Sequence, residues 1–400
     1  MRCLDKSNQH FRKANTKLPL GVSSNFRYWG DDKTIYVQRA KGGRIWDIDG
    51  NEYIDYRLGY GPAILGYADS RVDDAARQGM DVGGVFALAT ELEYEVACRI
   101  SKMVPAAELV RFSNSGTEAV MAALRIARAH TGKDGHIVME GGYHGVFNEV
   151  LWYTEVEEWT PSDGDPEVLP YGEGVPAIVK PLFHSVPLND ANTVEDVMRK
   201  HHNDIGAFLI EPIMGNCCAI AATREYLQAV RELCDRYNVV LVVDEVKTGF
   251  RVAKGGAQEL FGVRADICTF AKAMGNGHPL GAVITTRAVA DRYRDQGYFF
   301  PPPAAAPSPA WPASPSSTPC ATRTCKATPC APAWWTSICF TTSCFRTKPT
   351  STSAVPSRSC KAFTLVCKNL AWTNIAFSSA CAVRIANAEP PCAVGLILTV

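Results

Sequence analysis

Lys272 is the first residue whose type and setting suggest chemistry. It follows the apolar run 267–270, which is typical of a buried strand, and precedes the turn Gly275-Asn276-Gly277. Burial lowers the pKa of an amine, and a neutral amine can attack a carbonyl carbon and form a Schiff base. The alternative is a lysine whose stem packs at a strand end while its ammonium group reaches water. Lys272 is a candidate nucleophile on this pattern.

Asp244 ends a second apolar run, residues 239–243, and is followed by Glu245. A carboxylate at the end of an apolar strand is poorly solvated and needs a partner. In an enzyme that uses pyridoxal 5'-phosphate (PLP), that partner is the pyridinium nitrogen, which a nearby carboxylate keeps protonated. The alternative is a strand-end carboxylate that caps the following turn. Asp244 by itself does not decide between the two.

A turn of small residues follows the apolar run 109–112 and leads into a helical pattern. It reads Ser113-Asn114-Ser115-Gly116-Thr117-Glu118. Backbone N–H groups at a helix N-terminus point at one place, and the helix dipole favours an anion there, so the turn could bind a phosphate. The alternative is an ordinary capping box, with Ser115 as N-cap and Glu118 three residues later. The two interpretations are compatible.

The elements that must position these residues alternate between short apolar runs and helical patterns. The sequence predicts an N-terminal hairpin of strands 34–40 and 44–56, then an α/β domain with a mostly parallel sheet. The apolar runs are 109–112, 136–139, 207–210, 239–243, 267–270 and 282–285, and the clearest helical patterns are 72–79, 91–103, 117–131 and 224–237. Ligands bind such sheets at the carboxyl ends of the strands, where Asp244 and Lys272 are predicted to lie.

Five blocks of residues together resemble the class-III aminotransferases, a family of PLP enzymes, and most of all the branch that contains glutamate-1-semialdehyde 2,1-aminomutase. The blocks are Ser115-Gly116-Thr117-Glu118-Ala119, Tyr143-His144-Gly145, Glu211-Pro212, Asp244-Glu245-Val246 with Thr248-Gly249-Phe250-Arg251, and Lys272. Their order and spacing match the family from about residue 8 to about residue 295. The resemblance implies PLP fold type I, the aspartate-aminotransferase-like fold, with helices on both faces of the sheet, and a homodimer.

The resemblance also implies how the cofactor ring would be held. Lys272 would bind PLP as a Schiff base and, once released by substrate, move the proton between the substrate carbon and the cofactor. Asp244 would pair with the ring nitrogen, and Val246 would pack on one face of the ring. Tyr143 would stack on the ring, since stacking needs only a π face. His144 is expected to be structural rather than catalytic.

The phosphate and the hydrogen-bond network have further candidates by the same resemblance. Ser115, Gly116 and Thr117 would hold the phosphate. Glu211 would belong to the network around the cofactor, with a strand-end turn residue as the alternative.

Two N-terminal residues are substrate-binding candidates. The segment 21–27 resembles the aminomutase segment whose arginine binds the substrate carboxylate, and Arg27 provides a bidentate fork for that task. The alternative is a surface arginine. Tyr60, in the loop Tyr60-Gly61-Pro62, falls where the family places a loop over the active site.

Departures from the aminomutase pattern bear on the reaction. Aminomutases of this branch carry Met where this chain has Lys247, and three glycines where it has Gly275-Asn276-Gly277. Both changes favour a general transaminase that moves an amino group from a donor to a carbonyl acceptor in a ping-pong cycle. One alternative is the aminomutase itself, which returns the amino group to the same carbon skeleton. A second alternative is a catalytically impaired remnant that retains the PLP-binding core.

Residues 301–400 differ sharply in composition from the rest of the chain. Residues 1–300 hold 33 of the 41 basic and 40 of the 41 acidic residues, whereas 301–400 hold eight basic residues and only Glu389. Thirty of 31 glycines precede residue 301, and nine of 15 cysteines follow it. The family's Gly-Asn-Pro segment, near which a Thr of the neighbouring subunit contacts the phosphate, is not recognisable there, and neither is its small C-terminal domain.

Three interpretations of residues 301–400 are open. One is a disordered linker rich in Pro, Ser and Thr. Another is a disulfide-rich extracellular module, against which stand the odd cysteine count and the polar segment 1–17, which shows no signal peptide. The third, which we favour, is translation out of frame. We therefore expect residues 1–60 to form an N-terminal segment with a hairpin that contributes to the small domain and the active site, 61–300 the PLP-binding large domain, and 301–400 an aberrant tail.

The composition of the chain limits the kinds of partner that we expect it to bind. The chain is 46% hydrophobic and 20% charged, which is typical of soluble globular proteins. No apolar run is long enough to cross a bilayer, and the tail's basic residues form no patch for nucleic acid. Cys217-Cys218 are adjacent rather than at the spacing of metal ligands. We expect a cytoplasmic enzyme that binds small molecules and does not bind a metal, a membrane or nucleic acid.

Overall fold

The computed structural model describes residues 2–84, 86–155 and 167–293. The interpretations of residues 301–400 therefore concern residues outside the described part of the chain. The helices of that part are α1 Asp5–Ala14, α2 Ser70–Asp81, α3 Glu91–Ser101, α4 Gly116–Thr131, α5 Ala191–His201, α6 Arg224–Tyr237, α7 Ala257–Phe261 and α8 Arg287–Tyr293. The four helical patterns predicted from the sequence correspond to α2, α3, α4 and α6.

A three-stranded antiparallel sheet precedes the main sheet. Its strands are β1 Val37–Lys41, β2 Arg44–Asp47 and β3 Glu52–Ile54. The predicted hairpin is confirmed, and the second predicted strand, 44–56, is divided into β2 and β3. Asp47 closes the turn between them, because its buried carboxylate accepts hydrogen bonds from Asn51 N–H and from the Tyr53 hydroxyl, both at 2.7 Å.

The strands that follow β3 in the described chain are β4 Leu109–Ser113, β5 Gly135–Met139, β6 Trp152–Glu155, β7 Glu167–Pro170, β8 Phe183–Val186, β9 Ile205–Ile210, β10 Ile213–Met214, β11 Ile220–Ala221, β12 Val240–Asp244, β13 Ile267–Phe270 and β14 Gly281–Thr285. Seven of them form the main sheet, in the order β4-β14-β13-β12-β9-β5-β8. All six predicted apolar runs correspond to strands of this sheet.

The prediction of a mostly parallel sheet is confirmed, with one antiparallel member. Strand β12 is parallel to β9 and β13, and β5 is parallel to β8 and β9. Strand β14 runs antiparallel to both β13 and β4. The link from β13 to β14 contains only a short 3₁₀ turn, Lys272–Gly275, whereas a parallel crossover needs a dozen or more residues.

Helices cover both faces of the sheet, and alternate strand residues serve the two faces. In β12, Leu241 and Val243 belong to one core cluster, whereas Val240 and Val242 belong to the other. The first cluster includes residues of α3, α5 and α6, and the second includes Leu124 and other residues of α4. Side chains alternate across a strand, so a strand buried on both faces is apolar throughout. This explains the continuous apolar runs and completes the α/β architecture.

The carboxyl ends of β4, β5, β9, β12 and β13 lie at one edge of the sheet, because these strands are mutually parallel. The ends of these strands and the loops that follow them carry every candidate for cofactor binding. None of the described helices has the length and apolarity needed to traverse a lipid bilayer.

Candidate active site

The carboxyl edge of the sheet encloses a cavity of about 260 Å³. All eight residues predicted to bind the cofactor line it: Ser115, Gly116, Thr117, Tyr143, Glu211, Asp244, Val246 and Lys272. They come from five strand ends that span more than 150 positions of the chain. Parallel strands bring distant residues together in this way, because equivalent ends meet at the same edge.

The N-terminus of α4 forms one end of the cavity. Ser115 is the N-cap residue, and its hydroxyl accepts a hydrogen bond from Glu118 N–H at 3.2 Å. The Glu118 carboxylate accepts one in turn from Asn114 N–H at 2.6 Å. The predicted N-cap is thus present, whereas the reciprocal bond of a capping box goes to Asn114 rather than to Ser115. Gly116 and Thr117 begin this 16-residue helix and line the cavity, where an anion is favourable.

Two glycines keep this end of the cavity open. A Cβ on Gly116 would lie 2.9 Å from Cγ1 of Val246. Gly145 has φ +113°, which side chains rarely adopt, and a Cβ there would lie 2.8 Å from Thr117 Oγ1. The backbone therefore approaches the helix N-terminus closely only because both residues lack side chains.

Asp244 is buried and accepts three hydrogen bonds. His144 Nδ1 donates to it at 2.7 Å, Val246 N–H at 2.9 Å and the Thr269 hydroxyl at 3.1 Å. Burial acts to raise the pKa of Asp244, but the hydrogen bond and charge of His144, the Val246 N–H and the charge of Lys247 together outweigh it, and the net pKa is lowered. The chain thus holds an ionised carboxylate in its interior, which is the group that a protonated ring nitrogen requires.

His144 contacts Asp244 directly, a pairing that the sequence did not indicate. Its ring is buried, with Nδ1 bonded to Asp244 and Nε2 without a hydrogen-bond partner among the described atoms. The neighbouring Gly142 allows this placement, because a Cβ there would lie 2.9 Å from His144 Nε2. The sequence places 100 positions between His144 and Asp244, so no local pattern could reveal the pair.

Lys272 follows β13 with a backbone φ of +46°, in the left-handed region that few residues other than glycine adopt. Burial lowers the pKa of its amine, and the positive charges of Lys247 and Arg251 lower it further. The carboxylates of Asp244 and Glu211 act in the opposite direction without restoring the ordinary value. The lowered pKa agrees with the expectation that the strand end desolvates this lysine.

Glu211 joins three of the strand-end loops. Its carboxylate is buried, accepts Tyr143 N–H at 2.9 Å and Gly215 N–H at 3.2 Å, and pairs with Lys247 Nζ at 3.2 Å. The predicted place of Glu211 in a hydrogen-bond network therefore has a structural counterpart. Lys247 also lines the cavity, although the sequence marked it only as a departure from the aminomutase pattern.

Arg27 and Tyr60 do not line the cavity. Arg27 is exposed in a short 3₁₀ turn, Asn25–Arg27. The Tyr60 hydroxyl donates to Phe26 O and accepts from Arg57 Nη1 at 2.8 Å. The substrate-binding roles of Arg27 and Tyr60 stay predictions.

The loop that contains Tyr60 nevertheless approaches the active site through its next residues. Pro62 lines the cavity, and a Cβ on Gly61 would lie 3.6 Å from Cδ of Lys272. Arg251 Nη2 donates to Gly61 O at 2.5 Å and holds this loop. The family resemblance predicted a loop over the active site here, and in this loop Gly61 lies beside Lys272 and Pro62 lines the cavity.

No group of three or more metal-ligating side chains occurs within the described ranges.

The family model for class-III aminotransferases matches residues 27–306. A glutamate-1-semialdehyde 2,1-aminomutase from Persephonella marina is 41% identical over 281 residues, which are 70% of this chain and 64% of the relative. The chain therefore spans less than two thirds of the length of that curated relative.

Solved structures agree with this relationship. An omega-transaminase from Sphaerobacter thermophilus is similar with a TM-score of 0.69 and 32% identity, over 76% of this chain and 71% of the other. A glutamate-1-semialdehyde aminomutase from Pseudomonas aeruginosa, solved in complex with PMP, has a TM-score of 0.66 and 25% identity, over 75% and 64%. The five residue blocks, the fold and the family match lead to one conclusion: this chain belongs to the class-III aminotransferase family.

Proposed function

We propose that this chain is a PLP-dependent transaminase that moves an amino group from a small-molecule donor to a carbonyl acceptor. The observation that carries the proposal is the joint lining of one cavity by the amine of Lys272, the ionised carboxylate of Asp244 and the N-terminus of α4. These three features match the aldehyde, the ring nitrogen and the phosphate of PLP.

The residues present fit this cofactor. Asp244 takes its hydrogen bonds from three donors and keeps its negative charge in the interior. Gly116 and Gly145 leave space at the helix N-terminus that side chains would fill. Ser115 and Thr117 add hydroxyl groups at that end. When bound, PLP supplies a carbonyl that condenses with amines and a ring that withdraws electrons.

Each residue then has a defined task. The amine of Lys272 is nucleophilic because its lowered pKa leaves more of it neutral near pH 7, and it can later carry a proton at Nζ. Asp244, held by His144, keeps a negative charge opposite the ring nitrogen. Tyr143 and Val246 line the cavity where a planar ring would pack. The loop at Gly61 and Pro62 lies beside Lys272 and would limit the access of water.

A 2,1-aminomutase is the second candidate activity, since relatives with that name are up to 41% identical among those compared. The two activities differ in whether the half-reacted product leaves the enzyme. Incubation with an amino donor, followed by an assay for free keto product, separates them. Strict retention of the product would overturn the transaminase proposal in favour of the aminomutase.

The cofactor site has a direct test in the visible absorbance of the purified chain with added PLP. A band from lysine-bound cofactor is expected in the parent and absent from Lys272→Ala. Lys254→Ala is the matched control, because Lys254 is exposed and does not line the cavity. A parent without a band would instead support the third candidate, a remnant of the family that does not bind its cofactor.

We further propose that the chain forms a homodimer in the cytoplasm. Several large apolar side chains are exposed in the stretch 80–94, among them Val82 (73% exposed) and Leu88 (82% exposed). A second copy that covers them would remove this apolar surface from water. The six cysteines of the described residues are free thiols, which suits a reducing compartment. Sedimentation velocity of the parent and of Leu88→Lys tests the dimer, which the charge is expected to weaken.

A further inference from the structure

Lys247 is a charged residue of the cavity that the proposed reaction does not use. Its side chain is 19% exposed and its ammonium group has three partners. Nζ lies 3.2 Å from Glu211 Oε2 and donates to Asn216 Oδ1 at 2.9 Å. It also lies 5.4 Å from the ring centroid of Tyr143, within the range of a cation–π contact.

Gly215 makes this placement possible. A Cβ on residue 215 would overlap Cδ of Lys247 and would lie 3.0 Å from both Cε and Nζ. The lysine stem therefore lies across bare backbone in the turn between β10 and β11. In this conformation Lys247 reaches Glu211 and Asn216 across a residue that has no side chain.

The partners of Lys247 connect it to the cofactor site in two ways. Glu211 accepts Tyr143 N–H at 2.9 Å through its other oxygen, so Lys247 and Tyr143 are held by the same carboxylate. Four charged groups also act on the amine of Lys272: the cations Lys247 and Arg251, and the anions Asp244 and Glu211. Lys247 pairs with Glu211 in the same cavity in which His144 pairs with Asp244.

We propose that Lys247 is a positioning residue of this active site, which holds Glu211 and Tyr143 in place and keeps a second positive charge near the amine of Lys272. Its effect on catalysis rests on the proposed transaminase function, whereas its electrostatic effect on Lys272 requires no cofactor. The positive charge disfavours the ammonium form of Lys272, in the same direction as burial. Without it, Glu211 would remain as an unpaired anion that favours the ammonium form.

The experiment measures the titration of Lys272 in the full chain without cofactor. Acetic anhydride labels neutral amines, and mass spectrometry follows the labelling rate of Lys272 against pH, normalised to the exposed Lys254. In Lys247→Met the midpoint of Lys272 labelling is expected at higher pH than in the parent. In Lys247→Arg, which keeps the charge, it is expected to stay near the parent value. A midpoint in Lys247→Met that equals the parent's would overturn the proposal.

Gly215→Ala provides a second variant that keeps the lysine. The new methyl group would displace the Lys247 side chain, and the midpoint is expected to move upward by a smaller amount. The same change in a Lys247→Ala background is expected to add no shift, because there is no stem to displace. An equal shift in both backgrounds would contradict the proposed geometry. If Lys247→Met does not fold, as judged by circular dichroism, the proposal is still tested by Lys247→Arg and by Gly215→Ala in the parent and in the Lys247→Ala background.

The cofactor band of the parent is measured in parallel. A parent with no band but with the predicted labelling shifts would reject the transaminase function and leave the role of Lys247 intact. A parent that shows the band but none of the labelling shifts would reject the role of Lys247 and leave the transaminase function intact. In a parent that shows the band, the visible absorbance of Lys247→Met is also expected to change its pH dependence, with Lys247→Arg restoring it.

Discussion

The carboxyl edge of the seven-stranded sheet and the loops before residue 62 position their polar groups in different ways. Asp244 and Glu211 follow buried strands and are themselves buried, with hydrogen bonds from several loops. Arg27 and Tyr60 come from irregular N-terminal segments and are exposed, and the Tyr60 hydroxyl bonds to Phe26 O and Arg57 Nη1 within the same region. Groups on a rigid edge are held in one geometry, whereas loop residues can adapt to a substrate.

The largest expected effect of this difference is at Asp244. Asp244→Asn keeps the size of the side chain but removes the charge that pairs with a ring nitrogen. We expect kcat to fall by about a hundredfold to a thousandfold, the size of effect seen when a preorganised electrostatic partner is lost. Steady-state assays with saturating PLP check this. Asp196→Asn, at an exposed position of α5, is the control, and equal activities in the two variants would contradict the assignment.

The main sheet should also be sensitive to acid, because β5 buries a histidine near its amino end. Burial lowers the pKa of His136 from 6.5 to about 3. Between these pH values His136 is protonated in the unfolded chain and neutral in the folded chain. The free energy of unfolding therefore falls as the pH drops from about 6.5 to about 3. The slope from this group is at most about 1.4 kcal/mol per pH unit. Urea titrations across this range should show a shallower slope for His136→Asn than for the parent.

A smaller effect is expected at the phosphate end of the cavity. Gly116→Ala would bring a methyl group against Val246, and the strain of overpacking is about 1–3 kcal/mol. We expect Val246 to relieve this strain by moving into the cavity, where the ring of PLP would pack. A cost of about 1.4 kcal/mol on binding would weaken the affinity for PLP about tenfold. Equilibrium binding followed by absorbance measures it. Gly43→Ala is the matched control, because a Cβ there meets nothing within 4 Å.

The smallest effect is expected in the N-terminal loops. If Arg27 binds the substrate carboxylate, Arg27→Ala should raise KM for a carboxylate-bearing donor severalfold and leave the cofactor band unchanged. Arg12→Ala, at an exposed position of α1, serves as control. A loss of the cofactor band in Arg27→Ala would instead show that the N-terminal loops and the cofactor site are not separable.

Much of the fold and of the candidate site could be predicted from the sequence. The apolar runs located the strands of the main sheet because strands buried on both faces are apolar at successive positions. Asp244 and Lys272 were recognised because each ends such a run, and Ser115 because small residues precede a helical pattern. The exposed setting of Arg27 could not be predicted in this way, because a loop has no period that indicates which side chains point inward.

The sequence by itself determined the residue types at the strand ends, the periods of the strands and helices, and hence the family. The tertiary structure decided which of these residues meet. His144 reaches Asp244 across 100 positions, and Tyr143 reaches Glu211 across 68. Lys247 lies across Gly215 for the same reason, since the packing of parallel strands brings their loops to one edge. Local patterns are set by neighbouring residues along the chain, whereas charge pairs within a cavity depend on how the whole sheet is ordered.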